Sequence, residues 1–107
     1  MSSCITCGMP LEGAHAEDVG LVTAEGPVCK FDLDDTGAIK SADAIFNGGV
    51  EFFLHSVCAG DRALAERLTR KNMSALPHWQ ANHFALLDGD QATDAEFGTA
   101  MQQLAAH

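Results

Sequence analysis

The middle of the chain carries apolar side chains at helical spacing. They form one face between residues 41 and 59, which comprises Ile45, Phe46, Val50, Phe53, Leu54 and Val57. Phe52 is expected to widen this face, Ser41 is a favourable N-cap, and Asp43 lies near the positive end of the helix dipole. Gly48 and Gly49 interrupt the pattern, since each costs about 1 kcal/mol relative to Ala in a helix interior. The pattern predicts either one helix with closely packed glycines or a shorter helix from about Gly49.

A second helix is predicted directly after the first. Gly60 is typical of a helix C-terminus, and Asp61 is a good N-cap for the next helix. This helix runs to about Leu76, because Pro77 stops it. Its inward face comprises Leu64, Leu68 and Met73. Trp79 follows and is large enough to seal the interface between the helix pair and the N-terminal third of the chain.

The C-terminal segment, residues 81–107, is predicted to contain a third amphipathic helix. Thr93 and Glu96 form a capping-box sequence. The apolar stripe that follows comprises Phe97, Ala100, Met101 and Leu104. This stripe must be buried, either against the helix pair of its own chain or against a second subunit. We therefore expect a monomer, or a homodimer formed through the C-terminal helix.

The N-terminal third combines cysteines with a stretch rich in glycine and valine, in which short strands are predicted at 20–24 and 26–31. Cys4 and Cys7 are separated by two residues, so both sulfurs can face one tetrahedral ion. Gly8 supplies the positive φ that such a knuckle often needs. With Cys29 after the strands, the arrangement is typical of a zinc ribbon, in which two knuckles share one ion. A redox pair would instead favour a preceding strand and a following helix, and neither is indicated.

The fourth ligand is left open by the sequence. Asp32 repeats the two-residue gap after Cys29, and a carboxylate oxygen is an accepted zinc ligand. His15 is the alternative, because a neutral imidazole is a better zinc ligand and lies in the loop that leaves the first knuckle. Three thiolates and one carboxylate around a divalent ion leave a net charge of about −2, which calls for amide donors or Lys30 nearby. Cys58 falls late in the first helix and is interpreted as a small buried hydrophobe.

These motifs resemble those of a family of bacterial zinc-ribbon domain proteins, short chains that open with Cys-x-x-Cys-Gly-Met-Pro and close with Leu-Pro-x-Trp. The matching residues are Cys4, Cys7, Gly8, Met9, Pro10, Cys29, Leu76, Pro77 and Trp79. The family has a fourth cysteine where this chain has Asp32, and residues 81–107 extend beyond its usual ending. The resemblance implies a metal-binding ribbon followed by a helix pair, and no biochemical role beyond metal binding.

Charge and composition narrow the partners and the cellular setting. Fifteen acidic and six basic side chains give a net charge of −9, which repels nucleic acid. The one basic cluster comprises Arg62, Arg67, Arg70 and Lys71. We interpret it as a solvated helix face on which Glu66 pairs with Arg70. The sequence has no apolar run near the roughly 20 residues that cross a bilayer and no export signal, so we expect a cytoplasmic protein without membrane contact.

Together these patterns predict an α+β fold in a single domain, residues 1–107. A small zinc ribbon of short β-hairpins occupies residues 1–36, a helix pair 41–79 and the C-terminal extension 81–107. The expected ligands of a Zn²⁺ ion are Cys4, Cys7, Cys29 and Asp32, with His15 as the alternative fourth ligand. The expected function is a structural metal site in a non-enzymatic protein-interaction or regulatory module. Two alternatives stay open: a metal-dependent enzyme with an open fourth coordination position, and a Cys4/Cys7 redox switch.

Overall fold

The computed structural model describes residues 3–105; residues 1–2 and 106–107, the outer ends of the predicted ribbon and of the predicted C-terminal extension, lie outside it. A two-stranded antiparallel hairpin comes first and helices follow. The elements are strands β1 (Val19–Thr23) and β2 (Gly26–Cys29) and helices α1 (Ala42–Ser56), α2 (Arg62–Ser74), α3 (Pro77–Ala81) and α4 (Asp94–Ala105). Short 3₁₀ helices span Gly13–Asp18, Lys30–Asp32 and Ala85–Asp88. This arrangement confirms the predicted α+β class, with a larger helical share.

The hairpin places Cys29 at its open end, where β1 begins and β2 ends. Val19 pairs with Cys29 and Thr23 pairs with Gly26, which has a φ of +140° at the turn. The second strand ends at Cys29, two residues before the predicted end, because the chain turns into the 3₁₀ helix Lys30–Asp32. That turn changes the direction of the chain and returns Asp32 toward the first knuckle.

Helix α1 runs without a break through its two glycines. It begins after Ser41, whose Oγ accepts a hydrogen bond from the backbone N–H of Ala44 at 3.2 Å. A Cβ on Gly49 would lie 2.9 Å from Cγ2 of Thr69, so α1 and α2 approach closely at this point. Close packing therefore explains the glycine, as the first of the two alternatives predicted. Phe52 does not widen the buried face, because it is 55% exposed.

Helix α2 packs against α1 and forms the main core with it. The carboxylate of Asp61 caps α2 by accepting from the N–H of Leu64 at 3.1 Å. Ala59 and Gly60 make the turn between the helices with φ values of +47° and +91°. The buried residues of this core include Ile45, Phe46, Val50, Phe53, Leu68, Met73 and Trp79. Cys58 is buried in the same core, as a small hydrophobe would be.

The C-terminal segment packs on the helices of its own chain. The predicted capping box is present, since Thr93 N–H donates to Glu96 Oε1 at 3.0 Å and Glu96 N–H donates to Thr93 Oγ1 at 3.1 Å. The apolar stripe of α4 contributes Ala100 to the main core, with Phe97, Met101 and Leu104 packed against it. None of the helices within residues 3–105 is long and apolar enough to span a bilayer.

A second, smaller core lies in the N-terminal part. Its buried residues are Cys4, Leu11, Val28 and Cys29, with Leu21, Leu33 and Ile39 among the side chains that cover it. Trp79 joins the two cores. It is 4% exposed, and its indole N–H donates to the backbone oxygen of Thr6 at 2.8 Å. The tryptophan thus lies where the sequence placed it, between the helices and the N-terminal hairpin.

Candidate metal centre

The segment from Cys4 to Gly8 forms a tight knuckle. The N–H of Gly8 donates to the carbonyl of Cys4 at 2.8 Å, and the N–H of Cys4 donates to the carbonyl of Met9 at 2.9 Å. Gly8 has a φ of +80°, which is the left-handed conformation that glycine adopts without a steric penalty. The knuckle is attached to the hairpin by Ile5, whose N–H donates to the carbonyl of Pro27 at 3.0 Å. The positive φ that the sequence predicts at Gly8 is thus present in the structure.

A second turn brings Cys29 and Asp32 to the first knuckle. Cys29 ends β2, and the 3₁₀ helix Lys30–Asp32 places the carboxylate of Asp32 beside the thiol of Cys4. The Cys4 Sγ and Asp32 Oδ2 atoms lie 3.7 Å apart. The Cys7 Sγ and Cys29 Sγ atoms also lie 3.7 Å apart. Each knuckle therefore offers two donors, and the donors of the two knuckles face each other in pairs.

The four donor atoms have the spacing of a metal site. The thiol sulfurs of Cys4, Cys7 and Cys29 and a carboxylate oxygen of Asp32 all lie within 4.8 Å of one another. Ligands on a tetrahedral zinc ion with Zn–S bonds of about 2.3 Å are separated by about 3.8 Å, so the two close pairs already match that separation. All four cysteines of the chain are free thiols. The group can therefore hold a metal ion, with three soft sulfurs and one oxygen as its donors.

Backbone amides point at the buried Cys4 sulfur. It accepts from the N–H of Thr6 at 3.4 Å and from the N–H of Cys29 at 3.3 Å. Hydrogen bonds of this kind stabilise a thiolate and spread the negative charge of a thiolate-rich site. Amide donors thus supply part of the compensation that the sequence called for. Lys30 supplies none by direct contact, because its Nζ pairs with Asp18 at 3.3 Å.

The proximity of the thiols separates their acidities. The thiols of Cys29 and Cys7 hydrogen-bond to the Cys4 sulfur and hold the pKa of Cys4 well below its usual range. The hydrogen bond that Cys7 shares with Cys29 raises the pKa of Cys7 far above its ordinary value. The hydrogen bond to Cys4 raises the pKa of Cys29 to about 12. Burial raises the pKa of Asp32. Cys4 is therefore the most acidic of the three thiols, and its neighbours Cys7 and Cys29 are the ones that retain their protons.

His15 does not join this group. It lies in the 3₁₀ helix Gly13–Asp18, where its Nδ1 is 3.1 Å from Oδ2 of Asp18 and its side chain is mostly exposed. The alternative fourth ligand is thus placed away from the three thiols, and Asp32 is the residue beside them. Cys58 lies in the other core, and desolvation raises its pKa.

Three residues outside the predicted ligands support the site. Thr6 is fully buried, and its hydroxyl contacts both Cys4 and Asp32. Asn72, on α2, donates from Nδ2 to the carbonyl of Cys7 at 2.8 Å. Trp79 holds the carbonyl of Thr6. The sequence could have indicated Thr6, because it lies between the two cysteines of the knuckle. It could not have indicated Asn72, which is 65 residues away along the chain from its acceptor, Cys7.

The basic residues of α2 are engaged within the chain. Arg62 pairs with Glu51 at 3.1 Å, Arg67 with Glu96 at 3.2 Å, and Lys71 with Asp94 at 2.7 Å. Arg70 donates from Nε to the carbonyl of Leu86 at 2.8 Å and from Nη1 to that of Asp90 at 3.3 Å. The predicted Glu66–Arg70 pair is wrong in this respect: Glu66 lies 4.0 Å from Nε of Arg62 instead. Arg70 is drawn to the carbonyls because they lie over α2.

Comparison with known proteins identifies no similar protein. The chain matches no protein-family model, and searches of curated proteins and of solved structures find no significant similarity.

Proposed function

We propose that this chain is a zinc-binding protein in which Cys4, Cys7, Cys29 and Asp32 hold one structural Zn²⁺ ion. The observation that carries the proposal is the convergence of these four donor atoms within 4.8 Å, from two turns separated by 21 residues of intervening chain between Cys7 and Cys29. Three thiolates favour zinc over hard cations such as Mg²⁺ or Ca²⁺. The resemblance of the opening motif to bacterial zinc-ribbon proteins supports the same metal.

A structural role follows from the donor count and from the size of the N-terminal core. Four protein ligands complete a tetrahedral coordination shell, whereas catalytic zinc sites keep one position open. Two of the four buried residues of the smaller core, Cys4 and Cys29, are themselves proposed ligands. So few apolar side chains give little stabilisation, and bound zinc contributes on the order of 10 kcal/mol of apparent binding free energy in small zinc modules. The ion would tie the knuckle to the hairpin.

The proposed biological role is that of a cytoplasmic protein-interaction or regulatory module, monomeric or dimeric through α4. The net charge of −9 disfavours nucleic acid as a partner. The basic residues of α2 also disfavour nucleic acid, because each of them already forms an ion pair or a hydrogen bond within the chain. A protein partner fits this surface better.

The test is metal content measured by elemental mass spectrometry on protein purified without a chelator. We expect one zinc per chain in the wild type, and loss of zinc in Cys4→Ser and Cys29→Ser. Cys58→Ser is the matched control, since it removes a buried thiol far from the cluster and should keep the full zinc content. Full metal stoichiometry in Cys4→Ser would overturn the proposal.

The fourth ligand is tested on the same preparations. Asp32→Ala should weaken zinc binding, while His15→Ala should leave it unchanged, because His15 is paired with Asp18. Unaltered zinc affinity in Asp32→Ala would contradict the structural assignment and favour a site with an open fourth position, that is, an enzyme. Zinc-free protein with two of its thiols oxidised to each other would instead favour a redox function.

A further inference from the structure

Thr6 is buried in an unusual way for a polar residue. Within residues 3–105 two polar side chains are buried, those of Thr6 and Thr69. The hydroxyl of Thr69 donates to the carbonyl of Ala65 in its own helix at 2.8 Å, which is ordinary helical bonding. The hydroxyl of Thr6 instead lies between two proposed metal ligands. Its Oγ1 is 3.0 Å from the Cys4 sulfur and donates to Oδ2 of Asp32.

The single hydroxyl proton can serve only one of these neighbours. A metal-bound Cys4 is a thiolate and has no proton to offer, so Thr6 is the only donor in the triangle. The Cys4 sulfur already receives two backbone amides, from Thr6 and Cys29. A carboxylate oxygen is also a stronger acceptor than sulfur, and O–H···O⁻ bonds are among the short, strong ones. The Thr6 hydroxyl therefore donates its hydrogen bond to the carboxylate of Asp32.

The backbone around Thr6 is held by two distant parts of the chain. The carbonyl of Thr6 accepts the indole N–H of Trp79, 73 residues away, and its neighbour Ile5 is bonded to Pro27 in β2. Thr6 is also 0% exposed, so water cannot take the place of its hydroxyl at the carboxylate. A rigid, dry donor is what an outer-sphere hydrogen bond needs in order to orient a ligand.

We propose that Thr6 is the positioning residue that restricts Asp32 to one metal-binding oxygen and thereby makes the site selective for a four-coordinate ion. This inference rests on the proposed zinc site. A free carboxylate binds a cation through one oxygen or through both, and two-oxygen binding raises the coordination number. The Thr6 hydroxyl fixes Oδ2, the Asp32 oxygen that lies 3.7 Å from the Cys4 sulfur, and so presents this one oxygen to the ion. Thr6 thus lets an aspartate act in the manner of a fourth cysteine.

The experiment uses Co²⁺ as a spectroscopic substitute for zinc, in the full chain and in two variants. Thr6→Val has nearly the shape of threonine and removes only the hydroxyl, whereas Thr6→Ser retains it. We expect intense tetrahedral d–d absorption in the wild type and in Thr6→Ser. In Thr6→Val that absorption should weaken while the thiolate charge-transfer bands stay, because the three cysteines still bind. Zinc affinity, measured by competition with a chromophoric chelator, should fall about 10- to 100-fold in Thr6→Val.

A second background separates orientation of Asp32 from a merely structural role. In Asp32→Cys the fourth ligand is a thiol with one donor atom, which has nothing to restrict. Thr6→Val should then change zinc affinity less than twofold, a margin small beside the 10- to 100-fold effect expected with aspartate. An equal loss in both backgrounds, or an unaltered Co²⁺ spectrum in Thr6→Val, would overturn the role of Thr6 while leaving the metal site intact. Failure of the wild type to bind Co²⁺ or Zn²⁺ would overturn the proposed function itself.

Discussion

At the scale of single residues, Gly8 and Asn72 show how the helical part of the chain supports the knuckle. Asn72 donates to the carbonyl of Cys7, and the peptide that follows turns through Gly8 at a φ of +80°. A Cβ on Gly8 would lie 3.3 Å from Oδ1 of Asn72. The left-handed turn and the approach of the amide therefore both favour glycine at this position.

Gly8→Ala is accordingly expected to destabilise the protein by about 1–2 kcal/mol, the cost of a left-handed conformation with a side chain. Urea unfolding of the zinc-loaded protein measures this. Gly37→Ala is a suitable control, because Gly37 also has a positive φ, +83°, but nothing lies within 4 Å of its Cβ position. A zinc affinity that falls in Gly8→Ala and not in Gly37→Ala assigns the effect to the knuckle.

The acidities of the thiols predict how metal binding depends on pH. The raised pKa values of Cys7 and Cys29 mean that both thiols are protonated near neutrality, so zinc must displace two protons. Displacement becomes easier as pH rises toward those pKa values. Apparent zinc affinity should therefore increase about 100-fold per pH unit around neutrality, as two released protons require.

Calorimetry in buffers of different ionisation enthalpy measures the protons directly. About two protons released per zinc is the expected count. Zinc affinity that is independent of pH would contradict the assignment of Cys7 and Cys29 as thiols that lose their protons on binding.

At the scale of elements, the crossing of α1 and α2 depends on one of two adjacent glycines. A Cβ on Gly49 would lie 2.9 Å from Cγ2 of Thr69, whereas a Cβ on Gly48 would have nothing within 4 Å. The methyl group of a β-branched threonine in a helix has little freedom to move away. Packing therefore requires glycine at position 49 and does not require it at position 48.

Alanine substitution should separate them. Gly48→Ala is expected to stabilise the protein by about 1 kcal/mol, because alanine has the higher helix propensity and the site is open. Gly49→Ala should be less stable than Gly48→Ala by about 1–3 kcal/mol, the usual cost of overpacking a helix interface. Thermal or urea unfolding of the two variants measures the difference, and equal stabilities would show that the crossing can widen freely.

The sequence predicts an element correctly where the contacts that define it join residues close together along the chain. The caps at Ser41, Asp61 and Thr93 act within one turn of helix, so their side chains alone indicate where the helices begin. The end of β2 and the outward orientation of Phe52 depend on what lies across the fold, and the periodic pattern misplaced both. Tertiary packing overrides local pattern at such positions.

The candidate site divides in the same way. The spacing of Cys4 and Cys7 and the position of Cys29 could be interpreted without a structure, because a knuckle is a local turn. The sequence predicts Asp32 as the fourth ligand with His15 as the alternative, and only the turn after β2 places the carboxylate, rather than the imidazole, at the thiols. The support from α2 could not be inferred from sequence, because it joins residues far apart along the chain.

At the scale of the whole molecule, the two cores are expected to respond differently to loss of metal. The larger core lies among the helices, while the smaller one contains two of the proposed ligands. A chelator should therefore unfold the N-terminal third and leave most of the helical circular dichroism. Fluorescence of Trp79, the one tryptophan of the chain, should change at the same time, because its indole loses the carbonyl of Thr6.

A titration with EDTA followed by both signals makes this measurement. Readdition of zinc should restore the fluorescence, and Cys58→Ser should behave as the wild type. Simultaneous loss of all helical signal would contradict the separate response of the two cores, since it would mean that the helices depend on the ion as much as the hairpin does.

The position of the C-terminal segment over α2 also has a consequence for the electrostatic surface. Glu96 and Asp94 face Arg67 and Lys71, and backbone carbonyls of the same segment face Arg70. The segment acts as a built-in counterion: charge that dissolved anions would otherwise supply is held in place by the chain. Taken alone, α2 would present a cationic stripe, and with the segment in place the charges of Arg67 and Lys71 are balanced by carboxylates of the same chain.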